Sequence, residues 1–122
     1  MARILVVDDE EPVRELMTLV LQLEEHDVTQ AADGNGCLAA LARDTFDLVL
    51  TDLVMPDKEG IETIMEIRKM YPDQKIVAMS GGGRGSAGDY LDLAAHLGAS
   101  RTLEKPFSNE QLLDAVLEVL AG

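Results

Sequence analysis

The sequence has 122 residues, 23 of them acidic and 10 basic, for a formal charge of -13 at pH 7. A surface this negative repels nucleic acid phosphates and anionic lipid, which leaves a cation or a basic protein face as the natural partner. One cysteine precludes an internal disulfide, no apolar run approaches the ~18 residues of a membrane span, and the opening MARILVVDDEEPV turns acidic too early for a signal peptide.

The expectation is a cytoplasmic chain forming a single domain over residues 1–122, its core drawn from the 47% of residues that are hydrophobic, with no output domain after the last helix. Ile4-Leu5-Val6-Val7 is apolar at four successive positions, as in a strand covered on both faces. Pro12 suits the first turn of a helix over 12–24, on which Val13, Leu16, Met17, Val20 and Leu23 make one apolar face. A weaker strand at 28–32 precedes a short Ala/Leu-rich helix at 35–43. Leu48-Val49-Leu50 is the next buried strand, and a helix over 60–70 places Ile61, Ile64 and Met65 on one side before Pro72 stops it. Ile76-Val77-Ala78-Met79 follows, then a capping-box spacing at Ser86-Ala87-Gly88-Asp89 ahead of Leu91, Ala94 and Ala95. A short strand at 101–103, at or near an edge, leads to the same signal at Ser108–Gln111 before Leu112, Leu113, Val116, Leu117 and Leu120. Strand and helix alternate five times over short links, the pattern of a doubly wound α/β fold with a parallel sheet and right-handed crossovers.

In such a sheet, ligands sit beyond the carboxyl ends of the strands. The first strand runs straight into Asp8-Asp9-Glu10-Glu11 and the third into Asp52, so two strands deliver at least three carboxylates to one rim. Carboxylates this crowded need a cation or a proton. Oxygen-only ligands favour a hard ion, Mg²⁺ above all, with Mn²⁺ able to substitute. Helix capping accounts for one or two acids at strand ends, but not for a pair plus a third on another strand. A neutralised site of this kind either binds a phosphate or lets Asp52 attack one and form an acyl phosphate. The last strand adds Lys105, a compact positive charge for phosphoryl oxygens, and the fourth ends at Ser80, whose hydroxyl can donate to one.

With these motifs in hand, VVDDE at 6–10, DLVMPDKEG at 52–60, SGG at 80–82 and GASRTLEKPF at 98–107, the whole chain resembles a response-regulator receiver domain of two-component signalling. The resemblance implies a flavodoxin-like, three-layer sandwich on a five-stranded parallel sheet in the order 2-1-3-4-5. It implies that Asp52 is the phosphorylation site, that Asp9 binds Mg²⁺ directly with Asp8 helping, and that the Val54 carbonyl completes the protein's share of the shell. Ser80 matches the switch hydroxyl and Lys105 the family's lysine, while Met55-Pro56 and Gly60 shape the loop after Asp52 and Glu59 starts a helix. The phosphodonor would be a sensor histidine kinase or phosphotransfer protein. The output would go to a downstream protein through the fourth helix, fifth strand and fifth helix, and the domain would be a self-phosphorylating switch rather than a turnover enzyme.

Two departures stand out. Thr102 occupies a position where the family usually keeps an aromatic, and Gly81-Gly82-Gly83-Arg84-Gly85 suggests signalling by loop ordering. Val54 and Gly82 carry no polar side chain to orient water, which implies an acyl phosphate lasting minutes. The rivals are an Asp-nucleophile phosphatase, which wants an acid where Val54 stands, and a phosphorylation-independent binding domain or flavin carrier, which does not need the four acids. His26 and His96 are expected at helix ends without a metal role, Cys37 in packing, Asp89 and Tyr90 facing solvent or a partner, and Arg68-Lys69 solvated at a helix end.

Overall fold

The computed structural model describes residues 2–53, 60–81, 92 and 94–122. Strands β1 (Arg3–Val7), β2 (Asp27–Ala31), β3 (Leu48–Asp52), β4 (Ile76–Gly81) and β5 (Arg101–Lys105) form one parallel sheet in the order β2-β1-β3-β4-β5. Helices α1 (Glu11–Leu23), α2 (Gly34–Arg43), α3 (Gly60–Met70) and a C-terminal helix (Asn109–Ala121) flank it, giving the flavodoxin-like α/β fold that the sequence predicts. Of the predicted fourth helix, Asp92 and residues 94–96 are helical. Its start and the calls at Val54, Met55-Pro56, Glu59, Gly82 to Gly85, Ser86, Asp89 and Tyr90 lie outside the described residues.

The unbroken apolar runs become the central strands because both sheet faces are covered. All five residues of β3 are buried, whereas β2, an edge strand, buries only Ala31. Strand side chains alternate with a period of two. Ile4, Val6, Leu48, Leu50, Val77, Met79 and Leu103 face α1 and the C-terminal helix, with Met17, Leu21, Leu112 and Val116 opposite. Leu5, Val7, Val49, Ile76 and Ala78 face α2 and α3, with Cys37, Leu41, Ile64 and Ile67 opposite.

Caps fix the helix starts. Asp33 accepts the Gly36 N–H at 2.7 Å at the start of α2. Ser108 and Gln111 bond reciprocally at 3.0 and 2.8 Å ahead of the C-terminal helix, the capping box anticipated from their spacing.

Helix phases differ from the sequence reading at three points. In α1 the buried stripe is Met17, Val20 and Leu21, while Leu16 and Leu23 are 55% and 72% exposed. In α3, Ile64 and Ile67 are buried and Met65 is turned out. Arg68 and Lys69 do lie in the last turn of α3 and Lys69 is exposed, but Arg68 is half-buried and bonds three backbone carbonyls, those of Pro72 (3.1 Å), Gln74 (2.5 Å) and Gly98 (2.5 Å). Its guanidinium fills the space beside Gly98, whose φ of +100° is a left-handed conformation that suits glycine.

Candidate functional site

Three side chains meet at the carboxyl end of the sheet because each continues the same alternation one step further. Ile4 and Val6 lead to Asp8, Leu48 and Leu50 to Asp52, and Leu103 to Lys105. β1 and β3 are neighbours at the place where the strand order reverses, where an open α/β sheet leaves a crevice. Asp8 and Asp52 close its floor. They are 0% and 5% exposed, while Asp9 is exposed.

Lys105 ties the floor together. Its ammonium donates to Asp8 Oδ2 at 2.8 Å and lies 3.5 Å from Asp52 Oδ2 and 3.9 Å from Glu10 Oε1. Burial works to lower the pKa of Lys105, yet the Asp8 hydrogen bond and the charges of Asp52, Asp8 and Glu10 outweigh it and raise the pKa. The second oxygen of Asp8, Oδ1, accepts the Glu10 N–H at 2.9 Å.

Asp8, Asp9 and Asp52 each offer a carboxylate oxygen within 4.8 Å of the other two. Neighbouring and opposite ligands of an octahedral Mg²⁺ stand about 3.0 and about 4.2 Å apart at its usual bond length of about 2.1 Å, so the triad closes on one ion with inward shifts of at most about 1 Å. The donor set, all oxygen and all anionic, fits a hard divalent cation. One ammonium facing three carboxylates, with Asp9 beside two of them, also leaves negative charge that a cation would offset.

The end of β3 is held through its backbone. Thr51 Oγ1 donates to the Asp52 carbonyl at 3.1 Å, Leu53 N–H donates to Met79 O at 2.9 Å, and Gly60 N–H donates to Leu53 O at 3.0 Å. Gly60 is glycine because of close approach. A β-carbon there would overlap the Asp52 carbonyl oxygen and sit 2.5 Å from the Leu53 Cα.

Of the residues singled out from the sequence, Asp8, Asp9, Asp52 and Lys105 come together. Ser80 is buried at the end of β4, one residue past Met79, the register partner of Asp52. Thr102 is half-buried in β5, and Val54 lies outside the described residues. His26 and His96 are held by backbone: His26 Nδ1 accepts from Ala2 N–H at 3.1 Å, and His96 Nδ1 donates to Asp92 O at 2.9 Å. Cys37 is buried in the core, which pushes its thiol up to about 12.

Sequence reasoning passed over Arg14. Its Nη1 donates to the Asp8 carbonyl at 2.9 Å and its Nε to Gln30 Oε1 at 2.9 Å. The available signal was electrostatic, since a cation near the N-terminal end of a helix opposes the macrodipole and asks for a reason.

Residues 4–117 match the response regulator receiver domain family. The chain is 37% identical over 120 residues to the transcriptional regulatory protein CpxR of Klebsiella pneumoniae, covering 98% of this chain and 50% of that protein. It superposes on NtrX of Brucella abortus with a TM-score of 0.92 at 32% identity, over 98% of this chain and 27% of that one. A receiver domain protein from Clostridium thermocellum gives a TM-score of 0.91 at 28% identity over 99% and 95% of the two chains. The chain thus spans half of the CpxR relative and about a quarter of the NtrX chain. Among the described residues no helix is long and apolar enough to cross a membrane.

Proposed function

The chain belongs to the response regulator receiver domain family, and from that membership we propose that it is a phospho-acceptor switch in which Asp52 takes a phosphoryl group from a partner's phosphohistidine. The observation that carries the reading is Lys105, held at 2.8 Å from Asp8 and 3.5 Å from Asp52 inside a triad whose oxygens lie within 4.8 Å of one another. A lysine and three acids in that arrangement suit charge that builds on a transferring phosphoryl group.

In the proposed step an Asp52 carboxylate oxygen attacks phosphorus in line with the departing imidazole nitrogen. The P–N bond breaks, its electron pair stays on the histidine, and an acyl phosphate forms on Asp52. Asp8, Asp9 and Asp52, with the Val54 carbonyl, would hold Mg²⁺ or Mn²⁺. When bound, the ion supplies positive charge against the phosphoryl oxygens. Lys105 donates to a second phosphoryl oxygen and Ser80 to a third. Gly60 and Thr51 keep the Asp52 backbone fixed, so that positioning is complete before the donor arrives.

The partners are then a sensor histidine kinase or phosphotransfer protein and a downstream protein that reads the fourth helix, β5 and the C-terminal helix. The domain, taken as residues 1–122 and cytoplasmic, acts as a switch with slow self-dephosphorylation rather than as a turnover enzyme. An acid where Val54 stands would favour phosphatase chemistry. Its absence supports the switch.

Incubation with acetyl phosphate and Mg²⁺ tests this by intact mass. The expected result is addition of one phosphoryl group to the unsubstituted chain and none to Asp52→Asn. Equal addition to both, or to neither, overturns it.

A further inference from the structure

We infer that Arg14 is the positioning residue that sets the direction of the Asp9 carboxylate, and through it the affinity of the acid triad for a divalent cation. The inference rests on the cation site proposed above.

Asp9 is the exposed acid of the three, so its surroundings do little to orient it. The sheet does not orient it either. β1 makes its last register pairs at Val7, with Ala31 of β2 and Thr51 of β3. Beyond that point Asp8 keeps one strand-like bond, from its N–H to Ala31 O at 3.2 Å. The Asp8 carbonyl, which lies in the same peptide plane as the Asp9 nitrogen, is taken instead by Arg14 Nη1 at 2.9 Å. Fixing that plane fixes the backbone from which the Asp9 side chain departs.

Arg14 is itself aimed. Nε donates to Gln30 Oε1 at 2.9 Å, so one planar guanidinium spans the end of β1 and the side chain of Gln30 on β2. The backbone of Arg14 is locked in α1 by its own N–H to Glu10 O at 2.9 Å, and its carbonyl receives the Thr18 hydroxyl at 2.8 Å. A lysine, a single point donor, cannot reproduce two bonds at fixed angles. The position also opposes the positive end of the α1 dipole, an unfavourable placement for a side chain with no local task.

Charge and positioning predict opposite signs. Were Arg14 only a nearby positive charge, its removal would tighten cation binding by relieving repulsion. If it positions Asp9, removal weakens binding, by about tenfold on the scale usual for groups that hold a metal's ligands in place. The test is calorimetric titration with Mg²⁺, and with Mn²⁺ followed by loss of its free-ion EPR signal, with urea midpoints recorded in parallel. Arg14→Ala and Arg14→Lys should both bind about tenfold more weakly than the parent, and Gln30→Ala should lose less in the same direction. Parent-like or tighter binding by Arg14→Lys overturns the inference and leaves the cation site standing. The same holds for Arg14→Ala where it folds. Failure of the unsubstituted chain to bind either ion overturns both readings.

Discussion

Gly60 shows how much of this site is decided by atoms that do no chemistry. The space for its β-carbon is already filled by the Asp52 carbonyl and the Leu53 Cα, and backbone cannot swing aside as a flexible side chain can. Gly60→Ala should therefore cost about 1–3 kcal/mol of stability, the usual penalty of overpacking, measured by urea unfolding. It should also slow phosphoryl uptake from acetyl phosphate, because Asp52 must move to relieve the overlap. A variant with parent stability and parent uptake would show that the contact is soft. Asp8 and Asp52 were readable in the sequence because each directly follows or ends an apolar run, which fixes its rim, and Lys105 because it closes the short last strand around Leu103. Arg14 was not, since its role consists of two bonds whose acceptors sit on other elements, and one acceptor is a backbone carbonyl that sequence does not display.

Among the elements, α1 marks the limit of periodicity. It carries two interleaved apolar rows, Met17-Val20-Leu21 and Leu16-Leu19-Leu23, and a three-four spacing fits either. Period gives the helix; only the partner surface gives its phase. The rows differ sharply in energy. Met17, 3% exposed, should cost about 2–5 kcal/mol when cut to alanine, whereas Leu16, 55% exposed, should stay within about 0.5 kcal/mol. Equal losses in urea midpoints would place the helix in the wrong rotation. The central strands β1, β3 and β4 were plain because burial on both faces writes a continuous apolar run. Edge strand β2 was faint because most of its residues reach solvent. Strand order came from the family resemblance, since alternation of elements alone does not rank the strands.

For the molecule as a whole, proton binding links fold to pH. Burial raises the Cys37 thiol from 9.0 to about 12, and the acids around Lys105 raise its ammonium above 10.5 despite burial. Both shifts are upward, so above pH 9 these two groups hold more protons in the folded chain than in the unfolded one. Stability falls as pH climbs from there towards 12. Urea midpoints should hold level from about pH 7 to about pH 9 and then decline, less steeply in Cys37→Ala, where one of the two groups is gone. A rise above pH 9 would contradict the assignment. The site also inherits an arithmetic constraint from the pleat that faces Asp8, Asp52 and Lys105 the same way. Inserting or deleting a single residue inside β1, β3 or β5 would turn the reactive group through the sheet to the α2–α3 side, however well the core tolerated the change. Evolution or engineering can therefore slide this centre along its strands only in even-numbered steps, so odd-length indels within them should be found or selected only alongside a compensating bulge.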